Sequence, residues 1–377
     1  MRITNGKIYT KGHFIDGYLD FNEKIEDVGQ WPSSKGKKVH DEIDVSGGYV
    51  IPGLIDIHTH GALGEDVSDG KEAALKKLGK YYASKGVTSW CPTTMTLPED
   101  QLTNALRAVN SYIRPKNGAK ILGVNLEGPF LSYEKRGAQC ADYLIKPDIG
   151  LFDRLNSVCQ NKIRLITVAP EINGSLEFIK SASSKCCVSI GHTGADYHTA
   201  FQGFQAGATH VTHMFNGMPP IHHRDPGVIG AAFDCKAFVE LICDGIHVNP
   251  TVVRMANTIF QGKLILISDS IRCAAMDDGE YTLGGQNVTL KDGKATLSGS
   301  NTFAGSTIHL MDGLKNAVSF GISLEDAVHS TTAAPAKSIG ADHEVGSLEP
   351  GHWADIVVLD KKLNVQHIFI NGVEVCH

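Results

Sequence analysis

The chain has no excess of positive charge: 41 acidic residues against 35 basic ones leave a formal net charge of -6 over 377 residues. No basic face therefore argues for a nucleic-acid partner, and a small anion would have to be met by local cations. No run approaches the roughly 18 apolar residues that a bilayer-crossing helix needs, so no membrane association is expected. The amino terminus, MRITNGKIYTKGHFIDG, lacks the charged and then apolar regions of a secretory signal. There is no CxxC spacing among the nine cysteines, an odd number that includes adjacent Cys186 and Cys187. The thiols thus read as reduced residues of a soluble, cytoplasmic protein, not as a disulfide framework or a zinc-ligand set. The 40 glycines form no low-complexity tract and instead punctuate many short turns.

What is present is an ordinary globular composition, 42% apolar and 20% charged, long enough for one large barrel with a smaller companion. Short alternating segments at 7–9, 13–15 and 17–21 are answered by 355–359 and 366–370, so residues 1–50 and 343–377 are expected to form one discontinuous β-sandwich domain. Between them, apolar runs at 50–57, 87–92, 121–126, 163–168, 187–190, 209–212, 238–243 and 264–267 alternate with helical patterns at 72–83, 100–113, 175–182, 197–206 and 251–260. Eight apolar runs interleaved with helices predict an α/β fold, a (β/α)8 TIM-like barrel over 51–342. A Gly-Gly and Asp-Gly pattern predicts a β-hairpin insertion near 280–297. Helices are expected at 308–320 and 323–339.

In such a barrel the chemistry sits at the carboxyl ends of the strands. The first run, YVIPGLIDIHTHG, ends in His58 and His60, which project from one face of a strand because they are two apart. Alone, an HxH pair is at least as often two satisfied polar histidines as half of a metal site. The other runs, however, end in Glu127, His192, His213, Asp244 with His247, and Asp269. One carboxylate among several neutral imidazoles is a ligand type that binds zinc, iron or manganese and leaves a position for water. Asp269, at the end of the last run, is the candidate general base and then acid.

Taken in order, PGLIDIHTHG, LEGPF (126–130), GHT at His192, THMFNGM (212–218), HRDPG (223–227), DGIHV (244–248) and SDS (268–270) resemble the amidohydrolase superfamily over essentially the whole chain. LEGPF, HMFNGM and RDPG narrow the resemblance to its sugar-phosphate deacetylases. The resemblance implies a divalent metal held by Glu127, His192 and His213, with His58 and His60 adding a second ion bridged by Glu127, so one or two ions of zinc, iron or manganese per subunit. It implies that Asp269 handles the proton of the attacking water and later protonates the departing amine. Asn216, the backbone of Gly217, Arg224 and His247 would contact substrate and phosphate. A homodimer is implied, in which Arg224 reaches the neighbouring active site. Gln139 stands where many members carry a His that polarises the substrate carbonyl; its amide can donate a hydrogen bond there but carries no charge.

The implied reaction is hydrolysis of the acetamide of N-acetylglucosamine 6-phosphate. The galacto epimer is the near alternative. A cyclic amidase would carry a carbamylated lysine where this chain has Glu127. A non-catalytic scaffold would not need Asp269 beside a complete ligand set.

Overall fold

Pro52 and Gly53 divide the apolar run at 49–57 between two sheets. Sequence patterning predicts one strand over 50–57, but Tyr49–Pro52 joins the sheet of the terminal segments and Leu54–Thr59 opens the barrel. Proline ends the first ladder because it has no N–H to donate. Gly53 turns the chain in a tight space: a Cβ on it would lie 2.1 Å from the Thr88 hydroxyl oxygen and 2.3 Å from its methyl carbon. Its N–H donates to the Asp355 carbonyl at 2.9 Å, and that of Leu54 to Gly86 at 3.0 Å, one bond to each layer.

The computed structural model describes residues 1–30 and 41–375; residues 31–40 of the amino-terminal segment, and Cys376 with His377, lie outside the described residues. Both termini contribute to one eight-stranded sheet, in which Ile356–Leu359 pairs with Tyr49–Pro52 and Val365–Ile370, and Arg2–Thr10 pairs with His13–Phe21. It has its own apolar cluster, including Ile3, Leu19, Val50, Ile356 and an edge-to-face pair, Phe21 and Phe369, with ring centroids 5.1 Å apart. The discontinuous pairing of the termini read from the sequence is therefore present.

The barrel strands are Leu54–Thr59, Val87–Thr94, Val124–Glu127, Ile163–Val168, Cys187–Ile190, His210–Val211, Phe238–Ile242 and Leu264–Ile267, paired in parallel and in sequence order; a short strand, Lys120–Ile121, adds to the second. Their near-continuous burial is what a sheet covered on both faces requires. Between the last and first strands, Asp269 N–H donates to the His58 carbonyl at 2.9 Å, and His60 and Gly61 N–H donate to Ser270 at 2.8 and 3.0 Å. The closing contact thus lies at the strand ends that carry His58, His60 and Asp269.

Helices Glu72–Ser84, Glu99–Asn110, Ser175–Ala182, Tyr197–Ala206, Pro250–Ile259 and Leu310–Ser319 lie where periodicity puts them. Two were not legible, Ile149–Val158 and Gly227–Asp234. The second, GVIGAAFD, has two glycines and no polar stripe, so neither propensity nor pattern marks it. The helix expected over 323–339 is broken at Thr332 into Leu324–Thr331 and Ala333–Ser338. Pro335 accounts for the break, since its ring would clash with the carbonyl four residues earlier. The insertion is a three-stranded meander, Gly279–Leu283, Gln286–Lys291 and Lys294–Leu297, and not a lone hairpin. The chain then returns across the barrel mouth to pair Ser306 with Ser270.

Because Thr88 leaves no room at Gly53, Gly53→Ala is expected to lower stability by about 1–3 kcal/mol through overpacking. Chemical denaturation of the variant beside the wild-type protein checks this.

Candidate metal centre and active site

Glu127, the last residue of the third barrel strand, is buried at 2% exposure and receives imidazoles from three other strand ends. Its Oε1 lies 3.0 Å from His213 Nε2, 3.2 Å from His192 Nε2 and 3.4 Å from His58 Nε2; its Oε2 lies 3.3 Å from His60 Nε2. These side chains form two clusters, His58–His60–Glu127 and Glu127–His192–His213, each with its donor atoms within 4.8 Å of one another, both wholly buried and sharing the carboxylate.

The rings are aimed by what holds their far nitrogens. His192 Nδ1 bonds the Lys135 carbonyl at 2.9 Å and His213 Nδ1 the Asn216 carbonyl at 3.2 Å, while His58 Nδ1 meets Glu240 Oε2 at 2.9 Å. With Nδ1 as donor in each case, the lone pair falls on Nε2, facing the centre. His58 Nε2 and His60 Nδ1 are buried without a hydrogen-bond partner. Buried polar atoms seldom go unpaired. A cation beside the two rings would satisfy His58 Nε2, so this donor set fits a divalent ion.

Burial pushes the Glu127 carboxyl up, but His58, His192 and His213 outweigh it and hold the group well below the usual carboxylate range. Burial likewise lowers His58 and His60, yet Glu240 and Glu127 hold His58 well above its ordinary value, and Asp269 and Glu127 push His60 up to about 9. Asp269 is raised by burial and lowered more by His60, His58 and His213. A carboxylate kept ionised amid imidazoles matches the anionic ligand a metal requires.

The centre opens into a cavity of about 340 Å³. Asp269 lines it with Oδ1 3.3 Å from His60 Nε2 and 3.5 Å from His58 Nε2. His192, His213 and Asp269 turn at φ values of 46°, 27° and 47°. Left-handed conformations at non-glycine residues are strained and concentrate at functional sites. Gln139, Asn216, Gly217 and His247 also line the cavity. Gln139 donates through Nε2 to Glu127 Oε2 at 2.7 Å and accepts the Thr96 N–H at 2.7 Å, so its amide orientation is fixed. His247 Nδ1 meets Asp244 Oδ2 at 2.6 Å, and its ring lies 4.8 Å from that of Phe303. Arg224 is not brought to the cavity: it is exposed in the loop after Ile221, with Nη1 2.7 Å from His223 Nε2.

Sequence reasoning missed three contributors. Glu240 and Asp56 are buried acids inside apolar runs, and Asp56 accepts the backbone N–H groups of His58 and Ser268 at 3.3 Å each. A lone acid in a strand covered on both faces was the available signal, since buried charge is retained only where it is held. The third is the return from the insertion, Asn301–Thr302–Phe303–Ala304–Gly305, which forms a wall of the cavity. No sequence signal marked that segment.

A model of the amidohydrolase family matches residues 49–375. The chain belongs to the amidohydrolase family. Among its relatives, an N-acetylgalactosamine-6-phosphate deacetylase of Escherichia coli O157:H7 is 37% identical, with 86% of each chain covered. An N-acetylglucosamine-6-phosphate deacetylase of Vibrio furnissii is 35% identical over 98% of this chain and 92% of its own. The fold agrees with that of N-acetyl-D-glucosamine-6-phosphate deacetylase from Mycobacterium smegmatis, solved as a mutant in complex with N-acetyl-D-glucosamine-6-phosphate, at a TM-score of 0.92 and 28% identity, covering 100% of this chain and 99% of that one. An amidohydrolase with this buried set of histidines and a shared carboxylate is built for a divalent metal. Among the described residues no helix is long and apolar enough to cross a membrane.

Because both clusters depend on Glu127, Glu127→Ala is expected to remove nearly all bound metal, whereas His60→Ala keeps about one ion per subunit. Elemental analysis of the two purified variants distinguishes these outcomes.

Proposed function

We propose that this amidohydrolase hydrolyses the acetamide of N-acetyl-D-glucosamine 6-phosphate to D-glucosamine 6-phosphate and acetate, in the catabolism or recycling of amino sugars. The observation that carries the reading is the approach of Asp269 to the His/Glu centre inside the cavity, in a chain whose relatives are hexosamine-phosphate deacetylases. We assign one ion to Glu127, His192 and His213 and a second to His58, His60 and Glu127, with zinc, iron and manganese all suited to these ligands. When bound, such ions supply a nucleophilic water near neutral pH and polarise the carbonyl.

Asp269 takes the proton of the attacking water and returns it to the departing amine, acting from the position its contacts with His60 and His58 impose. Gln139 sits at the acetamide end. One amide hydrogen is committed to Glu127, and the other, held only by a 3.8 Å contact with the Met95 sulfur, is available to the carbonyl. Asn216, Gly217 and His247 line the same cavity, and we assign the contacts with the sugar and its phosphate to Asn216, the Gly217 backbone and His247.

The cavity wall contains neither lysine nor arginine among the described residues. A phosphate therefore needs a cation from elsewhere, and we assign this to Arg224 of a second copy in a homodimer, whose planar fork suits phosphate oxygens. The eight described cysteines are all free thiols, which supports a cytoplasmic setting. The galacto epimer is a second reading, favoured by the 37% identity to the E. coli enzyme.

Acetate release from the two 6-phosphates and from unphosphorylated N-acetylglucosamine tests the assignment. N-acetylglucosamine 6-phosphate is expected to be fastest, and equal rates with and without the phosphate would refute it. Asp269→Asn is expected to keep its metal and lose turnover by about 10²–10⁴-fold. Mixing inactive Arg224→Ala and Asp269→Asn subunits is expected to restore up to about a quarter of wild-type activity, because a mixed dimer carries one complete site; no recovery on mixing would refute the role of Arg224 across the dimer.

A further inference from the structure

Glu240 lies in the middle of the seventh barrel strand, Phe238–Ile242, with both its neighbours apolar and none of its own surface exposed. A carboxylate in that position is costly unless other groups hold it. Its Oε2 accepts two hydrogen bonds, from His58 Nδ1 at 2.9 Å and from the backbone N–H of His213 at 3.1 Å. Its Oε1 has no hydrogen-bond partner, and His210 Nδ1 stands 4.0 Å from it. His58 belongs to one candidate ligand cluster and His213 to the other. One oxygen atom therefore anchors a member of each.

We propose that Glu240 is a positioning residue that ties the two metal-ligand clusters together, fixing the tautomer and aim of His58 and holding the backbone of His213. This rests on the two-ion reading given above. The comparison among the rings carries it. His192 and His213 direct their Nδ1 atoms to backbone carbonyls, at Lys135 and Asn216, which the strand-end loops supply whatever their side chains. His58 alone depends on a side chain. Without an acceptor at Nδ1, its ring is free to place the proton on Nε2, the nitrogen that faces Glu127. The second bond explains why the acid is at this register. His213 turns at a φ of 27°, and its N–H is fixed there by the same oxygen. A carboxylate acceptor also raises the basicity of the imidazole it holds, which strengthens that ring as a ligand.

The test uses full-length protein stripped of metal by chelation and titrated with Co²⁺, followed by visible absorbance and equilibrium dialysis. Wild type is compared with Glu240→Met, similar in length but without an acceptor, and with Glu240→Gln, which keeps a neutral one. Wild type is expected to take up two ions. Glu240→Met is expected to bind the ion of the His58 cluster about 10–100-fold more weakly and the ion of the Glu127–His192–His213 cluster more weakly by a smaller factor, because His213 loses only the acceptor of its backbone N–H. Glu240→Gln should recover most of the lost affinity while shifting the Co²⁺ spectrum. Equal affinities and spectra in wild type and Glu240→Met would overturn the positioning role and leave the metal reading standing. A wild-type protein that takes up no second ion would overturn the two-ion reading along with it. Should Glu240→Met fail to fold, Glu240→Gln decides alone, and a spectrum and affinity identical to wild type would overturn the proposal.

Discussion

The site depends on one buried anion. Glu127 lies almost out of reach of water, and four imidazoles and one amide converge on its two oxygens. Desolvation alone would favour the protonated acid, and removing any single partner leaves the rest facing an under-compensated charge. The arrangement is therefore collective. It can exist only if strands far apart in sequence end at the same height, which is what a closed parallel barrel provides. Closure itself is secured beside the anion, where the backbone N–H groups of Asp269, His60 and Gly61 bond across the seam between the last and first strands.

That geometry is bought with backbone strain at His192, His213 and Asp269, all in the left-handed region. The turns at His192 and Asp269 are locked by bonds that reach another loop, and that at His213 by its N–H bond to Glu240 Oε2 on a barrel strand. The His192 carbonyl accepts the Ser132 N–H at 2.9 Å, the Thr193 N–H goes to Gly217 at 2.9 Å, and the Asp269 carbonyl accepts Ser306 N–H at 2.8 Å. Gly217 shows how close the packing is: a Cβ on it would sit 3.1 Å from His192 Nδ1. Strain of this kind persists where the surroundings over-determine the conformation, and here they aim side chains that an unstrained strand end would point elsewhere.

How much of this was legible follows from the range of each interaction. Strand interiors declare themselves through local apolar runs, and the residue after each run inherits its place at the barrel mouth, so Glu127, His192, His213 and Asp269 could be read before any coordinates. The split at Gly53 had a local trace in the Pro52-Gly53 pair, but that the two halves join different sheets is set by Thr88 and Asp355, which lie far away in sequence. Gln139 was legible as a site residue, but its engagement with Glu127 and Thr96 is a tertiary fact with no local trace. The segment 301–305 was invisible for a similar reason. A short loop of mostly small residues around Phe303, after a β insertion, looks like a connection until the insertion folds back and sets it over the cavity.

The two walls of the cavity follow from the same topology. On the metal side, every histidine and carboxylate of the centre is carried at a barrel strand end, where rigidity is greatest and distances are set by the ladder. The opposite side is formed by Leu283 and the returning segment with Phe303, 39% exposed, whose ring lies against that of His247. That wall hangs from the seam by the Ser270–Ser306 pairing, so its backbone is tied to the strand end that carries Asp269. The anchor at Ser306 fixes where the returning segment ends, so the segment's place over the cavity is set by a backbone bridge and not by the side chains it carries.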